Sequence, residues 1–318
     1  DTASLVSETD ASIATSVKAL NIQIIANGTT TVSSDVIHYQ YGEYGQNYWQ
    51  ALDRTSIEAV KTLLIEGKNI HFKAINTHSG EETRFISRGN TVDATVALAS
   101  QRFSDIEDGW RRDRWVHQAV STHSSGGSIT SLALGEQHLF APSFDCKKLV
   151  IEGLEGVSIY EVHDTHEHES HTSKSGGGLF GGTTETHTSS YSARSKGARL
   201  TASDSVEILS GGDINLRNVS LFTPHTSLES LEGVVRIFLG TNYETYSSIT
   251  SSEDMFWQSV EATQSRHSTF TTPTVTGEVV INSQRDAIVQ KIYQQSLSYA
   301  SRIKIEGGGR IVFENVHE

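Results

Sequence analysis

The sequence predicts an all-β fold built as a solenoid, in which short strands stack in parallel along one axis. Three observations carry that expectation. Apolar residues alternate with polar ones in short runs that close on Gly, Ser, Asn or Asp, as half-buried strands do. The chain has 26 Gly and 3 Pro in 318 residues, and Ser plus Thr make up roughly a quarter of it, a composition suited to tight turns. Turn signals recur about every six to ten residues, too often for hairpins with long arms. A β-sandwich with a similar number of strands is the alternative, because it produces the same alternation.

Taken in order, "SIEAVKTLLIEG" (Ser56 to Gly67) is a helical candidate, with Ser56 as start and Gly67 as stop. The strand-like runs are "NIHFKAIN" (Asn69 to Asn76), "GSITSLAL", "KKLVIEGLEGVSIYEV", "ARLTASDSVEILSGGDINLRNVSLF", "GVVRIFL", "GEVVINS" and "SRIKIEGGGRIVFENV". In the most regular block, Leu200, Val206, Ile208, Ile214, Leu216 and Val219 mark successive strands and form the predicted core. Ser203-Asp204-Ser205 and Gly211-Gly212-Asp213 separate them. With a rise of about 4.8 Å per rung and roughly 20 residues per coil, residues 1–318 read as a single elongated domain of about a dozen rungs.

Two stretches interrupt the pattern. Residues 160–198 are rich in His, Ser, Thr and Gly and read as an extruded polar hairpin or loop. Over 284–303, "RDAIVQKIYQQSLSYASRI" places Ile288, Ile292 and Tyr299, with Val289, Tyr293 and Ala300, at helical spacing. An amphipathic helix is expected there.

The formal net charge of −13, from 25 Lys plus Arg against 38 Asp plus Glu, disfavours nucleic acid as a partner. One cysteine, Cys146, excludes an intrachain disulfide and any site built from several thiolates. No apolar run is long enough to span a bilayer as a helix. The first residues, "DTASLVSETD", carry neither a basic start nor an apolar stretch, and the chain reads as an excised segment of something longer.

The sharpest candidate for chemistry is His163, His166, His168 and His171, interleaved with Glu161, Asp164, Glu167 and Glu169, with His187 across the Gly-rich turn. Imidazoles and carboxylates suit Zn²⁺, Cu²⁺ or Ni²⁺. On a strand His166 and His168 share a face and His163 points to the other. The spacing matches no helical zinc motif, and the competing account is a solvated polar excursion, so no metal or other cofactor is assigned. "SGGGLFGG" lacks the ending of a phosphate-binding loop and reads as a turn, and the G-x-S-x-G elbow of a strained nucleophile is missing. Cys146 is either a buried small hydrophobe or a thiol whose pKa Lys147 and Lys148 lower. Tyr39 to Gln50, with Tyr41, Tyr44, Tyr48 and Trp49, is either packing or an exposed sugar- or protein-binding patch. Arg111, Arg112 and Arg114 lie between Trp110 and Trp115 and form either a basic-aromatic spot or an ion-paired surface with Asp105, Glu107 and Asp108.

The order of parts is itself informative. An acidic His/Ser-rich strand leads to "KSGGGLFGG", then to a Thr/Ser-rich return, then to "GARLTASDSVEILSGGDINLRNVSL". This succession resembles the haemagglutinin repeats of filamentous-haemagglutinin-like exoproteins, including contact-dependent growth inhibition effectors. "TGEVVINSQRDAIVQKIYQQSLSYASRI" is similar to their junction with the pretoxin region. The resemblance covers about Asn69 to Glu318. It implies a right-handed parallel β-helix, exported from a Gram-negative bacterium by an outer-membrane two-partner (type Vb) transporter. It also implies a secreted or cell-surface location, contacts with neighbouring repeats of the same long chain, and a target-cell surface, host receptor or glycan as partner. The repeats of the family carry no catalytic residues, so the expected role is a non-enzymatic rod scaffold of an adhesin or toxin-delivery protein. The alternative is a β-helix carbohydrate-binding or polysaccharide-processing protein, which needs a groove lined with acid pairs or a Ca²⁺ site. Departures from the pattern, "GEQHLFAPSFDC" and residues 221–276 with one obvious strand pair, put regular geometry in doubt there.

Overall fold

The computed structural model describes residues 2–42, 46–176, 181–254, 257–290, 302–308 and 310–314. Among them every regular element is a strand, and the strands form two parallel sheets and one antiparallel sheet. The chain visits the two parallel sheets in a fixed order. Thr62–Gly67 lies in the first sheet and Asn69–Lys73 in the second, then Glu82–Ser87 in the first and Thr91–Ala94 in the second, and so on. Each strand pairs in register with its counterpart on the next visit: Thr62 faces Glu82, and Ser128 faces Lys148.

The period of two in the sequence becomes a core because parallel register stacks like upon like. One column of the first sheet runs Ile24, Ile65, Phe85, Ser131, Ile151, Ile208, Leu228 and Ile281, each directly opposite the next. Facing it from the second sheet are Val32, Phe72, Asp93, Leu139, Ile159, Leu216 and Ile237. Leu200, Val206, Ile208, Ile214, Leu216 and Val219 are all buried in this one apolar cluster. Each such side chain contributes about 1.5–3 kcal/mol by leaving water.

The corner from the first sheet to the second holds only small residues, with Gly67, Ser87, Ala133, Gly153, Ser210, Ser230 and Ser283 stacked in register. A Cβ on Gly153 would lie 2.2 Å from the Gly156 carbonyl oxygen. Ser87 donates to the Asn90 carbonyl at 2.9 Å and Ser210 to the Asp213 carbonyl at 3.1 Å, each three residues on, and Ser230 donates to the Gly212 carbonyl of the preceding rung at 2.8 Å, which satisfies the corner backbone.

The opposite corner has two alternating forms. After Asn69–Lys73, Glu136–Phe140 and Asp213–Arg217, a single left-handed residue turns the chain back to the first sheet: Ala74 (φ 50°), Ala141 (φ 49°) and Asn218 (φ 52°). After Thr29–Ser33, Thr91–Ala94, Gly156–Tyr160 and Val235–Phe238 the chain instead leaves as a hairpin. The four hairpins are Asp35–Tyr41 with Asn47–Asp53, Val96–Ile106 with Gly109–Ala119, Val162–Ser175 with Thr183–Lys196, and Gly240–Glu253 with Gln258–Thr271. They join side by side into the eight-stranded antiparallel sheet. The match is geometric: a hairpin is two strands wide, about 9.6 Å, and two parallel rungs rise by the same about 9.6 Å. A hairpin on every second visit therefore keeps both sheets in step.

Several expectations are corrected. Ser56 to Gly67 is two strands, Ser56–Ala59 and Thr62–Gly67, because Val60 and Lys61 turn the chain and their amides bond the carbonyls of Ala19 and Leu20 in the preceding rung. Within 284–303, Ala287–Gln290 is a strand that pairs in parallel with Val235–Phe238, so a helix does not begin there; 291–301 lie outside the described residues. Ser203-Asp204-Ser205 does not separate strands: Ala198–Ser210 is continuous, with a register shift where Cys146 faces Ala202 and Lys148 faces Ser205. Residues 221–276 contain not one strand pair but rungs in both parallel sheets and a whole hairpin. The irregular Glu136 to Cys146 holds its register with the rungs on either side. Hairpins with long arms do occur, contrary to the reading from turn spacing.

Candidate functional site

The hairpin sheet is the part of the molecule that the core does not absorb. Its strands show no buried/exposed alternation; both faces are partly solvated, and the outermost strand, Gln258–Thr271, is mostly exposed. Only its base is fixed apolarly, where Val96 and Ala119 pack on Ala74 with Val36, Leu52 and Leu98 alongside. Polar ties do the rest. Lys196 Nζ donates to the Gln118 carbonyl at 2.8 Å, the Gln118 amide donates to Asp164 Oδ1 at 2.6 Å, and Glu161 accepts from the Thr241 amide at 3.0 Å and from the Ser195 hydroxyl.

Where the second and third hairpins meet, Gly109–Ala119 pairs with Val162–Ser175, and Asp113 lies directly opposite His168. Asp113 is 5% exposed, a buried charge within the hairpin sheet. His168 Nδ1 approaches Asp113 Oδ1 to 2.8 Å, His166 Nε2 approaches it to 3.3 Å, and Arg111 Nε donates to Oδ2 at 2.8 Å. Burial pushes the Asp113 carboxyl up, but the hydrogen bonds from Arg111 and His168 outweigh it, and its pKa stands below the ordinary carboxylate value. Neighbouring pairs reinforce the seam: Arg112 with Glu169 at 2.5 Å, Arg114 with Glu167 at 3.8 Å and His117 with Asp164 at 2.8 Å. Arg112 and Arg114 thus find acids on the facing hairpin and Arg111 finds Asp113 on its own strand, whereas Asp105, Glu107 and Asp108 form no ion pair among the described residues.

The histidines do not converge. His166 and His168 share a face with Asp113, while His163 Nε2 donates to the Thr241 carbonyl (2.8 Å) beside Tyr243 on the other. His171 faces His187 across the third hairpin, and both lie near Trp110 at the outer end. Among the described residues no set of three or more His, Cys, Asp or Glu is placed to hold a metal ion. Gly177 to Phe180 of the Gly-rich turn, and Tyr44, lie outside the described residues.

The aromatic run is on this sheet as well. Tyr39 stacks on Trp49 (centroids 4.0 Å, 9° between planes), and Trp115 stacks on His166 (5.0 Å, 3°). Tyr39, Trp49 and Trp115 are 41%, 44% and 38% exposed, so these rings are surface and not core.

Three features outside the blade complete the inventory. Cys146 is buried in the core and burial pushes its thiol up to about 12, while Lys148 pairs with Glu207 at 2.8 Å; the lysines do not activate it. His123, Asp93 and Ser121 form a buried polar group: His123 Nε2 lies 3.0 Å from Asp93 Oδ2 and Ser121 donates to Asp93 Oδ1 at 2.5 Å. Ser121 is thus bonded to the carboxylate and not to the imidazole, which Phe72, Phe85 and Phe144 enclose; the arrangement fills a polar rung of the core. Acids scattered in the sequence, Glu136, Glu155, Asp213 and Glu232, do meet along an open groove of about 660 Å³. Asp213 there is tied to Arg236 at 2.5 Å and to the Val234 amide at 2.8 Å.

Compared with protein-family models, curated proteins and solved structures, the chain matches none.

Proposed function

We propose that the chain is a right-handed parallel β-helix segment of a large secreted exoprotein, a rod whose job is to hold out a blade of hairpins for contact with other surfaces. The observation that carries this reading is the alternation of left-handed corners and hairpins along the parallel ladder. Such a ladder satisfies its backbone from rung to rung and needs no ligand to fold. Its regular spacing serves display: every hairpin joins the next into one continuous surface.

The resemblance to haemagglutinin repeats extends the reading to the parent. It would be an adhesin or contact-dependent toxin-delivery effector of a Gram-negative bacterium, exported by a two-partner outer-membrane transporter and exposed at the cell surface. Neighbouring repeats would continue the rod, and a receptor or glycan on the target cell would meet the blade. Catalysis has no place in this role. The buried His123–Asp93 pair is a core group in this reading, its carboxylate bound by Ser121 and its imidazole Nδ1 by Thr77 at 2.9 Å, with His123 1% exposed.

Small-angle scattering and electron microscopy test the rod. Ten strands of the second sheet at about 4.8 Å each give an axis of about 45 Å, carrying a flat side blade. A compact sphere of the same mass would refute it. Co-expression with a two-partner transporter, with the segment detected by antibody on intact cells, tests location. The acidic groove favours the polysaccharide-processing alternative, and release of reducing ends from a polysaccharide panel would support that reading over ours.

A further inference from the structure

One row of the hairpin sheet, read across strands from the register, is Tyr39, Trp49, Ser100, Trp115, His166. Residues in a row share a face, so four rings stand side by side with a serine in the middle position. The outer faces of the two indoles are taken, Trp49 by Tyr39 and Trp115 by His166. Their inner faces both look onto the gap above Ser100.

Trp49 and Trp115 stand on the strands either side of Ser100, so the register sets the gap between them at two strand spacings, about 9.6 Å. A flat aromatic guest in contact with both walls needs only about 7–8 Å, twice the usual carbon–carbon contact distance. A saturated six-membered ring, whose pucker and axial hydrogens add roughly 2 Å, fills the width with both faces in contact. The polar fittings agree. Among the described residues the half-buried Ser100 hydroxyl at the floor has no hydrogen-bond partner, and Arg102, two residues along on the same face, is exposed and unpaired. The opposite end of the slot is closed by Leu98, in the next row of the same face. Apolar walls for the C–H faces of a ring, with a hydroxyl and a guanidinium at its rim, are the chemistry of sugar recognition.

We infer that the slot between Trp49 and Trp115, floored by Ser100, binds a pyranose ring of a glycan, with Arg102 donating to a substituent at the rim. The site depends on the register of the hairpin sheet and not on the identity of the parent protein.

Titration of the whole chain with pyranose oligosaccharides, neutral and carboxylate-bearing, followed by tryptophan fluorescence and calorimetry, tests this. The expected result is saturable binding to at least one pyranose that Trp49→Ala or Trp115→Ala weakens tenfold or more. Ser100→Trp, which fills the gap and makes the stack continuous, abolishes it with the melting temperature kept. Trp110→Ala, at the outer end of the other face, leaves it unchanged. If no pyranose binds saturably, if Ser100→Trp binds as well as the parent, or if a flat aromatic competitor binds more tightly than every sugar, the inference is overturned. Should Ser100→Trp fail to fold, the two alanine variants decide.

Discussion

Asp113 and His168 face each other across the line where two hairpins from different rungs meet, with a 2.8 Å contact between imidazole and carboxylate. Their strands belong to hairpins that leave the rod two rungs apart. The hairpin sheet is thus held laterally by charge pairing, where the parallel sheets are held by stacked apolar columns.

Acid should loosen the blade first. Asp113 has a folded-state pKa below its unfolded value of about 3.9. Its contribution is full above that value and is lost as pH falls below about 4 toward the folded pKa. Hydrogen exchange at pH 3 should show Gly109–Ala119 and Val162–Ser175 losing protection ahead of the core strands. In Asp113→Asn that acid-dependent step should vanish, with stability at pH 7 lowered by about 1–3 kcal/mol.

Interior columns tolerate no unpartnered charge; Asp93 sits in one with His123 and Ser121 bonded to its carboxylate. Ile208→Asp or Leu216→Asp places a carboxylate among side chains that are fully buried, at a cost above about 4 kcal/mol. Circular dichroism should show a collapsed melting transition, and wild-type melting in either variant would mean that the column does not face inward.

The left-handed corners set a steric limit. Ala74 and Ala141 have positive φ and no exposure, and a β-branched side chain is strained in that conformation. Ala141→Val should lower stability by about 2 kcal/mol or more. Ala141→Gly should stay near the parent, because relief of strain offsets the freer unfolded chain. Chemical denaturation reads both.

Rod and blade should separate by surgery. Deleting 162–197 with Glu161→Gly leaves two residues between Tyr160 and Arg199, as Ala141 and Pro142 lie between Phe140 and Ser143, and so copies the corner used at Ala141. The parallel ladder should persist by circular dichroism, while Gly109–Ala119 and Gly240–Glu253, deprived of their shared neighbour, exchange amide protons faster.

How much of this was legible in the sequence follows from which elements have an inside. Val206, Ile208, Ile214 and Leu216 alternate because one face of their strands is buried, and a period of two can be seen without neighbours. Gly240–Glu253 and Gln258–Thr271 have water on both faces, so nothing selects an apolar period and the pair could not be found. Ser56 to Gly67 misled for another reason. Ile57, Val60, Leu63 and Leu64 lie at helical spacing, yet Val60 is exposed at a turn, and pairing with distant rungs outweighed local propensity. For the binding slot, Tyr39, Trp49 and Trp115 were visible, but Ser100 was not: only register gives a serine meaning as the missing ring in a row.

The two alternating corners make this molecule a geared pair, with a pitch that counts in twos. Loss or duplication of a lone rung would put every later hairpin out of mesh with its neighbour by one tooth, so the smallest part that can be added or removed without damage is a doublet of rungs together with its arm. Lengthening such a chain by recombination is therefore quantised, and its natural module is nearer sixty or seventy residues, roughly three times the single-coil repeat.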